Sequence, residues 1–238
     1  MRQSISYSLF IAVLLIFVSI IPSRIHAQGF EGEITMQMSS PTMGDQKIKM
    51  IYMVKGDNVL QTADDPKNGK VLIYTDTKTG SQTIVMEAQK HGMQIDQSLM
   101  EDAIKKMRMP VLLPKASEKK QKIAGYNCEL YTITIDSTQE MDIWLTKDFP
   151  KDISLAIRKC TELGMKNTGV KSDALIDLFK SGYAQVRMEM KIKGVTQLTN
   201  EFAKADSEKL DDAIFIIPSD IKIEKLDPKL MTPGAEQK

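Results

Sequence analysis

Three stretches of the chain alternate apolar and polar residues with a period of two, the signature of strands with one buried face. In the first, Phe30, Ile34, Met36 and Met38 share one side while Glu31, Glu33, Thr35 and Gln37 share the other. In the second, Ala184, Val186, Met188, Met190 and Ile192 alternate with Gln185, Arg187, Glu189, Lys191 and Lys193; Met141, Ile143 and Leu145 form a shorter third. Further β-prone runs at 48–54, 71–74, 83–86 and 129–135 are separated by turn signals at Gly56-Asp57-Asn58, Pro66-Lys67-Asn68-Gly69, Thr79-Gly80, His91-Gly92 and Gly194. Turns this closely spaced join sequence neighbours, which predicts a meander of antiparallel hairpins. About nine to eleven strands are expected, a number that tends to curl or close to hide its edges.

Elsewhere the period changes to that of a helix. At 98–107 the apolar stripe is Leu99, Met100, Ala103, Ile104 and Met107, with Ser98 and Glu101 spaced as a capping box and Pro110 beyond the end. At 150–163, Pro150 suits the first turn, Ile153, Ala156, Ile157, Cys160 and Leu163 form the stripe, and Gly164 is the expected stop. A third, short helix is expected from Asp173 as N-cap through Leu175, Ile176, Leu178 and Phe179 to Gly182. The fold class is therefore mainly β, of the α+β type, with two or three amphipathic helices packed on a curved antiparallel sheet.

The N-terminus has the three-part layout of a secretory signal: Arg2, an apolar run from Leu9 to Ile21, then Pro22, Ser23 and Arg24. The run is shorter than the roughly 20 residues that a membrane-spanning helix needs, so a permanent integral anchor is not expected. Cleavage is predicted after Ala27, leaving residues 28–226 as one β-rich domain and 227–238 as a flexible tail. Removing Arg2 and Arg24 lowers the 32 basic side chains to 30, against 31 acidic ones. That near-neutral, interspersed balance argues against nucleic acid as a partner, and against attraction to anionic membrane. The expected location is the periplasm or the exterior.

The segment Ile123-Ala124-Gly125-Tyr126-Asn127-Cys128-Glu129-Leu130-Tyr131, followed by Met141-Asp142-Ile143-Trp144-Leu145-Thr146 and by Ile216-Ile217-Pro218-Ser219-Asp220, resembles exported bacterial proteins grouped as domain of unknown function 4412. That family is similar, distantly, to the periplasmic lipoprotein carriers. The resemblance implies an incomplete antiparallel β-barrel wrapped over helices, an apolar cavity between them, and a cell-envelope location. It implies no reaction and no functional residue.

Few residues suggest catalysis, and no enzyme activity or cofactor is expected. His91, the one histidine after cleavage, stands beside Gly92 in an expected turn and lacks a Cys/His cluster, so it reads as a solvated loop residue. Asp64-Asp65 and Asp211-Asp212 have neither calcium-loop spacing nor a shared strand face. Cys128 and Cys160, the only cysteines, are either bridged or two separate buried thiols; export favours persistence of a bridge, but spacing does not supply its geometry.

Methionine is in excess, with sixteen residues. The pairs Met36/Met38, Met107/Met109 and Met188/Met190 suit copper(I), yet on a strand the same spacing places two flexible thioethers on one apolar face. The expected ligand lining is Met36, Met38, Leu99, Ile104, Ile143, Val186, Met188, Met190 and Ile192. The expected function is non-enzymatic binding of a lipid or other apolar molecule in the envelope. The alternative is a structural or protein-interaction domain with a filled core and an envelope protein as partner.

Overall fold

The computed structural model describes residues 30–44, 46–65, 69–95, 112–167 and 172–226; the leader, the helix expected at 98–107 and the tail from 227 lie outside them. Twelve strands among these residues form one sheet: β1 (Gly32–Ser39), β2 (Lys47–Lys55), β3 (Asn58–Asp65), β4 (Gly69–Asp76), β5 (Gln82–Met86), β6 (His91–Ile95), β7 (Pro114–Ile123), β8 (Tyr126–Thr134), β9 (Gln139–Thr146), β10 (Ala184–Ile192), β11 (Val195–Ser207) and β12 (Lys222–Lys225). Their order is β12-β6-β5-β4-β3-β2-β1-β11-β10-β9-β8-β7, so two meanders meet where β1 pairs with β11. The sheet curves without closing, and β7 and β12 are its edges.

Hairpin turns fall where residues accept a positive φ. Ala124-Gly125 (φ 49° and 91°) and Lys193-Gly194 (φ 50° and 76°) are two-residue connections whose handedness matches the twist of the flanking strands. The expected meander is otherwise corrected at two places. β12 pairs with β6 in parallel, and His91-Gly92 opens β6 rather than forming a turn. A Cβ on Gly92 would sit 2.6 Å from Ile223 Cδ1 and 3.1 Å from Val85 Cγ2, so glycine here admits the final strand. His91 is a strand residue, its Nε2 3.9 Å from Glu224 Oε2. Asp64 and Asp65 close β3, and Asp211 caps a 3-10 turn at Asp212–Phe215 by accepting from Ala213 N at 2.9 Å.

Two α-helices lie among the described residues. α1 (Lys151–Asn167) begins after Pro150, whose carbonyl accepts from Ser154 N at 2.8 Å. It continues through Gly164, because an internal glycine weakens a helix without removing its hydrogen bond. α2 (Asp173–Lys180) is capped by Ser172, not Asp173: Ser172 Oγ accepts from Leu175 N at 3.2 Å. Its C-cap is Ser181, with Gly182 following at φ 101°.

The main core joins β1, β2, β3, β10 and β11 to Ala156 and Ile157 of α1, and extends through the aromatic trio Tyr126, Phe149 and Phe202. A second core packs Leu175 and Phe179 of α2 on Ile133, Ile143, Leu145 and Met188. Over the other side of β3–β5, the segment after Asp211 lays Ile214, Phe215, Ile217 and Ile221 on Leu60, Leu72 and Val85. That cover leads into β12.

Candidate functional site

Strand register decides which side chains stand together, since directly opposed residues share a face. One row runs Ile48, Met38, Asn200, Met188, Ile143 and Tyr131 across β2, β1, β11, β10, β9 and β8. Beside it on one flank run Met50, Met36 and Phe202; on the other run Leu198, Met190, Met141 and Ile133. Six methionines thus tile one contiguous inner face. Met36, Met38, Met50 and Met188 are buried, and Met50 Sδ accepts from Gln61 Nε2 at 3.8 Å.

α1 lies across this face and is tied at several points. Cys160 faces the Tyr52 phenol on β2, whose pKa burial raises well above its ordinary value, with a smaller contribution from Cys160. Lys159 Nζ donates to the Gly56 carbonyl in the β2–β3 turn, 3.5 Å from Asp57 Oδ1. Arg158 donates through Nη1 to the Phe179 carbonyl, joining α1 to α2.

The predicted lining is thus brought together only in part. Met36, Met38, Ile143, Val186 and Met188 are buried, and Met190 is half-buried against the main core. A register shift falls between Gln185 and Arg187; Val186 packs in the main core and Met188 with α2. The same shift accompanies burial of Gln185, which strict alternation assigns to the polar side. Ile192 is 39% exposed where β10 turns into β11, outside the wall. Leu99 and Ile104 lie outside the described residues.

Cys128 and Cys160 are free thiols. Both belong to the main core, Cys128 Sγ donating to the Tyr126 carbonyl at 3.4 Å. Burial pushes the Cys128 thiol up to about 11 and the Cys160 thiol up to about 12. Neither is poised as a nucleophile.

Near the β7 edge a cleft of about 480 Å³ is lined by Lys120, Lys122, Asn127, Glu129, Lys147 and Tyr183, among others. Tyr183 Oη donates to Glu129 Oε2 at 2.7 Å, and Lys120 Nζ sits 3.0 Å from Glu129 Oε1. These two bonds, Tyr183 first, hold the Glu129 carboxyl below its ordinary range. Lys147 Nζ rests 4.4 Å from the centre of the Tyr183 ring, and Asp148 Oδ2 accepts from both Asn127 N and Nδ2. Charged and polar residues make up most of its lining, Leu145 and Cys128 complete it, and the cleft opens on the surface.

Sequence reasoning missed this cleft, because β7 reads Pro-Lys-Ala-Ser-Glu-Lys-Lys-Gln-Lys-Ile with almost no apolar alternation. It also missed Asn200, although a signal is present: Asn200 occupies the inward position between Leu198 and Phe202 in β11, where alternation calls for an apolar residue.

The methionine rows and the cleft thus sit on a curved, unclosed, mostly antiparallel sheet with helices packed on it. This chain belongs to the family described as Domain of unknown function (DUF4412), which matches residues 30–221. No curated protein matches its sequence significantly. Among solved structures, an uncharacterized conserved protein from Thermus thermophilus is similar over 84% of this chain and 93% of its own, with TM-score 0.52 and 7% identity. That likeness shows a shared fold. Lower scores relate the chain to MucB of Pseudomonas aeruginosa in complex with MucA (TM-score 0.42, 9% identity, 84% of this chain and 60% of that one). They also relate it to a LolA superfamily protein from Nitrosomonas europaea (0.31, 10%, 79% and 90%). Among the described residues, no helix is long and apolar enough to cross a membrane.

Proposed function

We propose that this chain is an exported, non-enzymatic binding protein of the cell envelope whose single domain, residues 28–226 after loss of the leader, holds a lipid or other apolar ligand between sheet and helices. The observation that carries this reading is the block of six methionines in three adjoining rows of the inner face. Thioether side chains rotate about three bonds and adapt to varied apolar shapes, so a wall built from them suits a ligand that is not a single rigid molecule. α1 bridges the wall partly through side-chain contacts to backbone carbonyls, a type of tie that can be remade when a helix shifts.

Native mass spectrometry on protein purified from the envelope fraction without detergent tests the reading. A reproducible bound species of acyl-chain mass is expected, and it should disappear in Met188→Glu while the fold survives. A clean apoprotein mass together with failure to take up added fatty acid or phospholipid would reject it. The second reading, a structural or protein-interaction domain, draws support from the lysine-lined cleft at the β7 edge. It predicts that Lys120→Glu/Lys122→Glu/Lys147→Glu abolishes capture of an envelope protein while any lipid content stays unchanged.

A further inference from the structure

Asparagine is poorly suited to the interior of a strand, and poorer still to an apolar interior. Asn200 nevertheless stands in the middle of β11, 1% exposed, with Met38 directly opposite on one side and Met188 on the other. Its Oδ1 is buried and accepts no hydrogen bond. Native interiors seldom leave such an acceptor unpaired, and a break of this kind in an otherwise consistent alternation tends to mark a functional position.

Three other buried side-chain atoms among the described residues lack a partner: Thr35 Oγ1, Trp144 Nε1 and Arg158 Nε. None belongs to the methionine rows. Thr35 pairs with Ile51 and Lys204 on the side of β1 away from Met36, and Trp144 is opposed by Arg187 and Leu130. Arg158 already donates through another nitrogen of the same guanidinium to Phe179. Asn200 alone of the four places an unused acceptor within the face proposed to hold a ligand.

We infer that the ligand of the methionine wall is an amphiphile bearing a hydrogen-bond donor, an O–H or N–H group, that Asn200 Oδ1 accepts, while its chain lies over Met36, Met38, Met188 and Met190. This rests on the apolar-ligand reading above and narrows it: a plain hydrocarbon or an acceptor-only ester would leave the carbonyl unpaired. A site that must bond a polar group discriminates against the analogue lacking it far better than an apolar wall discriminates by shape.

The test is competition between two probes with the same chain, hexadecan-1-ol and hexadecyl methyl ether, which differ in the donor. The full mature chain, stripped of co-purified lipid, is incubated with an equimolar mixture and the retained species are counted by native mass spectrometry. Wild type should retain the alcohol over the ether by about tenfold, the factor that one hydrogen bond in a dry site supplies. Asn200→Leu should retain both about equally. Equal retention by wild type would overturn the assignment while leaving the apolar-ligand reading standing, and an unchanged preference in Asn200→Leu would overturn it too. Retention of neither probe would sink both. The wild-type arm decides the matter if Asn200→Leu does not fold.

Discussion

Replacing Asn200 by leucine should make the ligand-free protein more stable, an unusual direction for a core substitution. The residue is 1% exposed and its carbonyl oxygen has no partner, so the folded state bears the desolvation of that oxygen without return. Such an orphan costs about 1–3 kcal/mol. Leucine has the same branched outline of four side-chain heavy atoms, no polar atom, and apolar neighbours in Met38 and Met188 across the strands, so the swap removes the cost, and overpacking by its bulkier methyl groups offsets only part of the gain. For a chain of this size about 1 kcal/mol corresponds to about 2–4 °C in Tm, giving an expected rise of about 2–12 °C. Calorimetry on delipidated protein, with urea denaturation as a check that the m value is unchanged, measures it. Asn200→Asp is the opposing control, since it buries a carboxylate that must either stay charged at high cost or take up a proton. A lower Tm for Asn200→Leu would refute the reasoning, because it would mean that the carbonyl is satisfied in the folded protein.

The remaining predictions concern the core, the thiols and the cleft. Met50→Ala, at a fully buried position, should destabilise by about 2–5 kcal/mol, whereas Met50→Leu should cost less than about 1.5; equal effects in chemical denaturation would mean that Met50 is not packed as described. With thiols pushed up to about 11 and about 12, Cys128 and Cys160 should both resist a thiol-specific dye at pH 8 and react promptly in denaturant, and a fast-reacting thiol in the native protein would contradict their placement. Because the Glu129 carboxyl is held below its ordinary value of 4.5, its contribution to stability is present above that pH and lost as pH falls through the lowered folded value. The stability difference between wild type and Tyr183→Phe should therefore be larger at pH 6 than at pH 3; a gap that does not change with pH would show that Tyr183 acts through packing alone.

How much of this was legible follows from what each element is made of. β1 reads correctly because every inward side chain on it is apolar and its outward partners are polar, and α1 because its stripe recurs with helical spacing. β10 misleads at Gln185, which is buried beside a register shift that leaves no mark in composition, and at Ile192, which is exposed at the strand's end. β7 and β12 are edge strands with solvent on much of both faces, so no alternation is selected and lysines along β7 serve instead to discourage pairing with another chain. Asn200 was visible as a fault in the β11 pattern, but its meaning depends on which methionines flank it, and register supplies that. The Glu129–Tyr183 pair joins β8 to the loop after α2, far apart in sequence, and no local spacing announces it.

The parallel union of β12 with β6 also sets a timetable. A chain emerging from its N-terminus can form the β1–β6, β7–β9 and β10–β11 hairpins locally, at the speed of short loops, but the second flank of β1 waits for β11, β9 meets β10 only across both helices, and the free flank of β6 waits for Lys222–Lys225. Until then Leu60, Leu72 and Val85 lack the cover of Ile214, Phe215, Ile217 and Ile221. The C-terminal segment is thus a latch thrown last, and a chain cut short before Asp211 would keep its hairpins yet offer sticky apolar strands to its neighbours, making aggregation rather than simple unfolding the fate of incomplete chains.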